Sequence, residues 1–192
     1  MEYIETIAND LDNEIITEIV KYGVPNLEDY NEVTDIAVRL AKELNADVDA
    51  VLLGSKFMHS KLGDAIQQKK WPEHTTMALG YAMEFFKNYP LNESIKSKVF
   101  TCIKEHREKT FTYKEAEICA NANCYRYLIP KKVLKVFYNM GKQGYNFEEI
   151  LFLVKEKVEQ KWNLLTLEIC KKELEENYFK IKEFLELCTK NK

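Results

Sequence analysis

Apolar residues recur every three or four positions along almost the whole chain, and very little interrupts them. Ile4, Ile7, Leu11, Ile15, Ile19 and Tyr22 share one helical face, and Val33, Ile36, Ala37, Leu40, Ala41 and Leu44 share another. Only six glycines and four prolines punctuate 192 residues, too few turn formers for a strand-rich fold. The spacing therefore predicts an all-α protein, a single helical domain over 1–192.

The breaks fall between the stripes. Gly23 and Pro25 end the first helix, and Asn26 to Tyr30 reads as a short polar connection. Asp47 is placed to cap VDAVLLGSKFMHSKLGDAI, residues 48–66, which is apolar over most of its circumference and reads as the central, most buried helix, with a bend permitted at Gly63. QQKKWPEH is a connection, and Met77, Leu79, Tyr81, Ala82, Phe85 and Phe86 carry a helix that stops before Pro90. Asn92 caps a helix holding Ile95, Val99, Cys102 and Ile103. EAEICANANCYRYLIP ends at Pro130, and KKVLKVFYNMGKQG is stopped by Gly141 and Gly144. From the cap Asn146 the pattern is helical almost to the end, with a break near Trp162 and Asn163. Leu167, Cys170, Leu174, Tyr178, Ile181, Leu185 and Cys188 form its last stripe.

Charge and cysteine content narrow the function classes. Lysine plus arginine number 28 against 31 acids, a net charge of −3 that advertises no nucleic-acid polymer as partner. Five cysteines without a CxxC pair argue against a disulfide framework or zinc ribbon and predict buried, reduced thiols. No apolar run approaches the roughly 18 residues of a membrane span, and the N-terminal segment has no signal pattern, so no membrane partner and a cytoplasmic location are expected.

The chain has three histidines, His59, His74 and His106, each near a predicted helix junction. Imidazole is the commonest neutral metal ligand, and helix ends converge more readily than helix middles, so three such rings could share a cation. Around them, LAKELNADVDAVLLGSKFMHS, EHTTMALGYAMEFF, CIKEHRE and EAEICANANCYRYL follow one another in an order that resembles the HD-domain superfamily of metal-dependent phosphohydrolases. The resemblance spans 29–128, about half of the chain, and leaves 146–190 as a C-terminal helical extension.

The resemblance implies an HD-like helical bundle in which His59 is the histidine of the His-Asp pair and His74 and His106 are the next two histidine ligands. Ser60 then stands where the pair's aspartate would be. Asn121 or Asn123 stands in place of the late aspartate, and Asp29, Tyr30 or Asn31 in place of the first histidine. Losing two carboxylates removes about two negative charges, which disfavours a dinuclear centre of hard cations. Three neutral imidazoles suit a single zinc, iron, manganese, cobalt or nickel ion, or a site that has lost its metal. Asp64, Glu73 and Glu105 are candidates for a replacement carboxylate or general base, and Lys61, Arg107 and Arg126 for contacts to a phosphate. The implied activity is hydrolysis of a small phosphate ester or nucleotide at a degraded or mononuclear site. The alternatives are an inactive HD-like protein that binds a phosphorylated ligand, and a helical interaction module whose C-terminal stripe and Trp162 leave room for a homodimer.

Overall fold

The computed structural model describes residues 2–190. They form α-helices α1 (Glu2–Tyr22), α2 (Leu27–Glu43), α3 (Val48–Phe57), α4 (Leu62–Gln67), α5 (His74–Phe85), α6 (Glu93–Glu105), α7 (Lys114–Leu128), α8 (Pro130–Lys142), α9 (Phe147–Asn163) and α10 (Glu168–Lys190). Short 3-10 turns at Trp71–Glu73 and Phe86–Asn88 flank α5, and no strand occurs among the described residues. The all-α expectation is met. Among the described residues no helix is long and apolar enough to cross a membrane. The chain divides into two compact units, one ending at Ala122 and the other beginning at Asn123.

In the first unit the α1 stripe is buried as its spacing requires: Ile4, Ile7, Leu11, Ile15 and Ile19 join Leu53, Phe57, Phe85, Phe86 and Ile103 in one core. Phe57 sits edge-on to Tyr81, Phe85 and Phe86, with ring centroids 5.2–5.7 Å away. The polar face of α1 is tied down by tyrosines. Tyr30 donates to Asp12 at 2.7 Å, Tyr81 to Glu14 at 2.5 Å and Tyr89 to Asp10 at 2.8 Å. Burial pushes the Tyr30 and Tyr81 phenols far above their ordinary value, and Tyr89 up to about 12, each helped by its carboxylate partner. Phenols held neutral in this way remain hydrogen-bond donors at any physiological pH.

Helix starts follow local chemistry. Asn26 accepts from the Glu28 N–H at 2.8 Å, and Glu28 and Asp29 sit in the first turn where the helix dipole favours acids. Helix α2 therefore begins at Leu27, inside the segment expected as a connection. Asn92 caps α6, and Asn146 forms a full capping box with Glu149.

Three further expectations need correction. The central helix does not continue to residue 66. It ends at Phe57, and the chain tightens into successive three-residue turns, with Ser60 N–H bonded to the Phe57 carbonyl at 3.0 Å and Leu62 N–H to the His59 carbonyl at 3.1 Å. Nor is Gly63 the bend. It lies within α4, where an added Cβ would sit 2.5 Å from Cβ of Tyr22, so its small size lets α4 close on α1. Gly141 likewise does not stop α8, which runs through it to Lys142, and the left-handed Gly144 follows (φ +89°).

Helix α3 is deeply enclosed, with Ala50, Val51, Leu53, Gly54, Ser55, Lys56 and Phe57 all buried. A Cβ at Gly54 would lie 2.6 Å from Cβ of Cys102, so this glycine sets the close approach of α3 to α6. All five cysteines are free. Cys102, Cys119, Cys124 and Cys170 are buried and Cys188 is half-buried. Burial drives the Cys102 thiol well above its ordinary range, which suits packing rather than redox chemistry.

The start of α3 is held by charge. Asp47 accepts from the Ala50 N–H at 3.1 Å, its own N–H donates to Glu115 at 3.0 Å, and Lys98 reaches Asp47 at 2.9 Å and Glu115 at 3.2 Å. Burial alone would raise both carboxyls, but the Lys98 ammonium and the backbone N–H groups outweigh it and hold Asp47 and Glu115 below their ordinary values. A folded value below the unfolded one stabilises the protein above the unfolded value and is lost as pH falls. Stability should therefore drop as pH passes down through the ordinary values of 3.8 and 4.5 toward the lower folded ones. In Glu115→Gln, thermal unfolding followed from pH 7 to pH 3 should show a shallower slope and a loss of about 1–2 kcal/mol at pH 7. An unchanged slope would remove this cluster as an acid-sensitive tie.

In the second unit α9 packs with α8 and with α10, whose Cys170, Leu174, Tyr178, Ile181 and Leu185 are buried along the expected stripe. Trp162 lies face to face with Tyr178, ring centroids 4.3 Å apart and planes 4° from parallel. Tyr178 in turn donates to Glu159 at 2.9 Å. The indole is thus stacked within its own chain.

Candidate metal centre

Each histidine stands at a helix end. His59 lies in the tight turn after α3, His74 is the first residue of α5, and His106 caps the end of α6. Their rings meet: centroids are 5.8 Å apart for His59 and His74, 4.9 Å for His59 and His106, and 5.5 Å for His74 and His106. One ligating atom from each lies within 4.8 Å of the other two. His59 and His74 are close to parallel, and His106 stands edge-on to both.

Two of the rings are oriented by backbone. His74 Nδ1 lies 3.0 Å from the Trp71 carbonyl oxygen and His106 Nδ1 lies 2.8 Å from that of Ile103, in each case three residues back. A carbonyl can only accept, so in the neutral form of either ring the proton sits on Nδ1 and Nε2 is the ligating nitrogen. Both Nε2 atoms and His59 Nδ1 are buried, and the His74 and His106 residues are 2% and 1% exposed. This donor set fits a borderline cation. His59, His74 and His106 would be the residues that hold it.

No carboxylate joins the cluster among the described residues. Ser60 is 4% exposed and its Oγ makes no hydrogen bond among the described residues. Asp64 accepts from Tyr22 at 3.3 Å and Gln68 at 2.9 Å. Glu105 is engaged by the Thr112 N–H at 2.8 Å and hydroxyl at 2.6 Å, bracing the loop that follows His106. Glu73, just before His74, is exposed. Of the expected cations, Lys61 reaches Glu18 at 3.4 Å and lies 4.3 Å above the Tyr81 ring, while Arg107 lies 4.5 Å from the Trp71 ring centroid. Of the residues aligned with the first ligand, Tyr30 is buried against Asp12, Asn31 is exposed and Asp29 is half-buried. Asn121 is fully buried, with its amide N–H on the Glu117 carbonyl at 2.9 Å. Asn123 and Arg126 belong to the second unit.

Trp71 escaped the sequence reading. Its carbonyl fixes His74, and its ring lies 6.2 Å from that of His74 at 22° between planes. Nothing in the periodicity marks it. The only signal is an aromatic residue before Pro72, within the turn that leads into His74.

No family model and no curated protein matches the sequence. Solved structures do. A predicted HD superfamily hydrolase from an uncultured Thermotogales bacterium superposes with a TM-score of 0.70 at 15% identity, over 94% of this chain and 90% of that one. The Bacillus subtilis protein YpgQ gives 0.64 at 13% identity, over 99% and 96% of the two chains. With its helical order matched nearly end to end, the chain has the fold of an HD superfamily protein.

Proposed function

We propose that His59, His74 and His106 hold one divalent transition metal, and that the protein is an HD-type phosphohydrolase acting on a small phosphate ester or nucleotide. The observation that supports this most directly is the convergence of three buried imidazole nitrogens within 4.8 Å, two of them presented by backbone carbonyls. When bound, the cation supplies Lewis acidity toward a phosphoryl oxygen and toward water. The chain's own part is to present neutral donors, keep the rings in place through Trp71 and Ile103, and exclude solvent around His74 and His106. Zinc, iron, cobalt and nickel suit three nitrogen donors better than magnesium or calcium, which prefer oxygen; manganese is intermediate.

The test is metal analysis of purified protein together with titration of nickel, cobalt, zinc and manganese, followed by phosphomonoesterase and phosphodiesterase assays with the metal added. Binding near one ion per chain with hydrolysis is expected. Failure of all four ions to bind overturns the reading.

A second reading is favoured by Ser60 and by the lack of a carboxylate in the cluster among the described residues: an inactive HD-fold protein that binds a phosphorylated ligand. It is separated from the first by a nucleotide that raises the melting temperature and is recovered intact.

A further inference from the structure

Resting on that reading, we propose that Arg107, laid against the indole of Trp71, is the arm that takes the phosphate of a ligand at the three-histidine centre. Trp71 acts as its positioning residue.

Three observations converge on this pair. Trp71 is 42% exposed, yet its backbone carbonyl receives His74 Nδ1 and its ring runs nearly parallel to that of His74. Arg107 follows His106, whose own Nδ1 is fixed to Ile103, so the arginine leaves the backbone from a point anchored by a candidate ligand. Its guanidinium then comes 4.5 Å from the Trp71 centroid. The indole thus connects one histidine by backbone and ring and the other through the neighbouring arginine.

The chemistry of the contact points to an anion. Stacking uses the flat face of a guanidinium, while its five N–H donors lie in the plane, in the fork that matches two phosphate oxygens. An ammonium has no such face. A divalent ion held by three neutral imidazoles would keep its full charge of +2 and attract an anionic group to the histidines. Among the three expected cations Arg107 is the one whose guanidinium lies against Trp71.

The experiment uses the full chain and inorganic phosphate as probe. Phosphate affinity is measured by calorimetry in nickel-free and nickel-loaded protein, and nickel affinity is measured separately, for wild type, Arg107→Lys, Arg107→Ala, Trp71→Leu and Trp71→Phe. Arg107→Ala should weaken phosphate binding about tenfold or more, since charge-assisted hydrogen bonds are lost. Trp71→Leu should weaken it about two- to fivefold through loss of the cation–π contact, and Arg107→Lys by a similar factor or more, with Trp71→Phe close to wild type. Nickel affinity should stay within about twofold throughout. The emission that distinguishes wild type from Trp71→Phe reports Trp71 alone and should change when phosphate is added.

Wild-type phosphate affinity in both Arg107 variants overturns the proposal, as does an absence of phosphate binding in wild type. Equal losses of nickel and phosphate affinity in Trp71→Leu would show that the indole merely supports the centre, and would overturn its positioning role. Should Trp71→Leu fail to fold, Arg107→Lys and the emission change still decide. If nickel does not bind wild type, the metal reading falls, and the phosphate series in nickel-free protein still passes judgement on the arm.

Discussion

Replacing His74 or His106 by alanine is expected to lower transition-metal affinity by on the order of a hundredfold to a thousandfold, while leaving the fold in place. Structural zinc sites yield about 10–16 kcal/mol from four ligands, so one ligand is worth about 3–4 kcal/mol. Both rings are oriented before any ion arrives, through Nδ1 to the carbonyls of Trp71 and Ile103, so little ordering cost is left to the ion. Competition with a chromogenic chelator measures the loss for each variant. His74→Ala and His106→Ala should fall together, because each removes one preoriented nitrogen from a set whose members lie within 4.8 Å. The melting temperature of the metal-free variants should move less than that of the metal-loaded ones, since only the loaded state gains binding energy. Wild-type affinity in either variant would mean that the ion sits elsewhere.

Helical class and most helix ends were legible because their causes are local. An apolar stripe with few breakers can bury one face only as a helix, and Asp47, Asn92 and Asn146 stand where their side chains must accept backbone N–H groups. The beginning of α2 was missed by a few residues, since Glu28 and Asp29 look like loop residues until the dipole at a capped N-terminus is considered. The turn after Phe57 was not legible at all. MHSK contains no breaker, and the chain leaves the α3 axis where α4 closes on Tyr22 through Gly63, a contact between residues 41 positions apart. Convergence of the histidines belongs to the same class of information. Periodicity placed His74 and His106 near helix ends and left His59 within a helix read to residue 66, only the order of motifs suggested that the three meet, and no spacing rule gives a ring-to-ring distance of 4.9–5.8 Å. Trp71 was lost for a further reason: its hold on His74 passes through a backbone carbonyl, which every residue type has.

Ser60→Asp is expected to make the stability of this protein depend on metal. The serine is 4% exposed with an Oγ that makes no hydrogen bond among the described residues, so nothing preformed there receives a carboxylate. An isolated buried carboxylate costs several kcal/mol unless it is paired or neutralised by a proton. Without metal, then, the variant should melt lower by roughly 6–12 °C, taking a cost of about 3 kcal/mol and the shift of about 2–4 °C per kcal/mol usual for chains of this size. A divalent ion at the neighbouring imidazoles reverses the sign, because attraction between unit charges about 4 Å apart is about 4 kcal/mol at an effective dielectric constant of 20. Part of that is spent on desolvation, and a gain of about ten- to a hundredfold in affinity should remain, largest for manganese, which favours oxygen donors more than nickel does. Melting curves with and without manganese, on wild type and variant, decide it: the variant should lose stability in chelator and recover most of it with the ion. A variant equally unstable in both conditions would place the introduced carboxylate away from the histidines, and the difference between this chain and the His-Asp pair it resembles would then have no bearing on its metal.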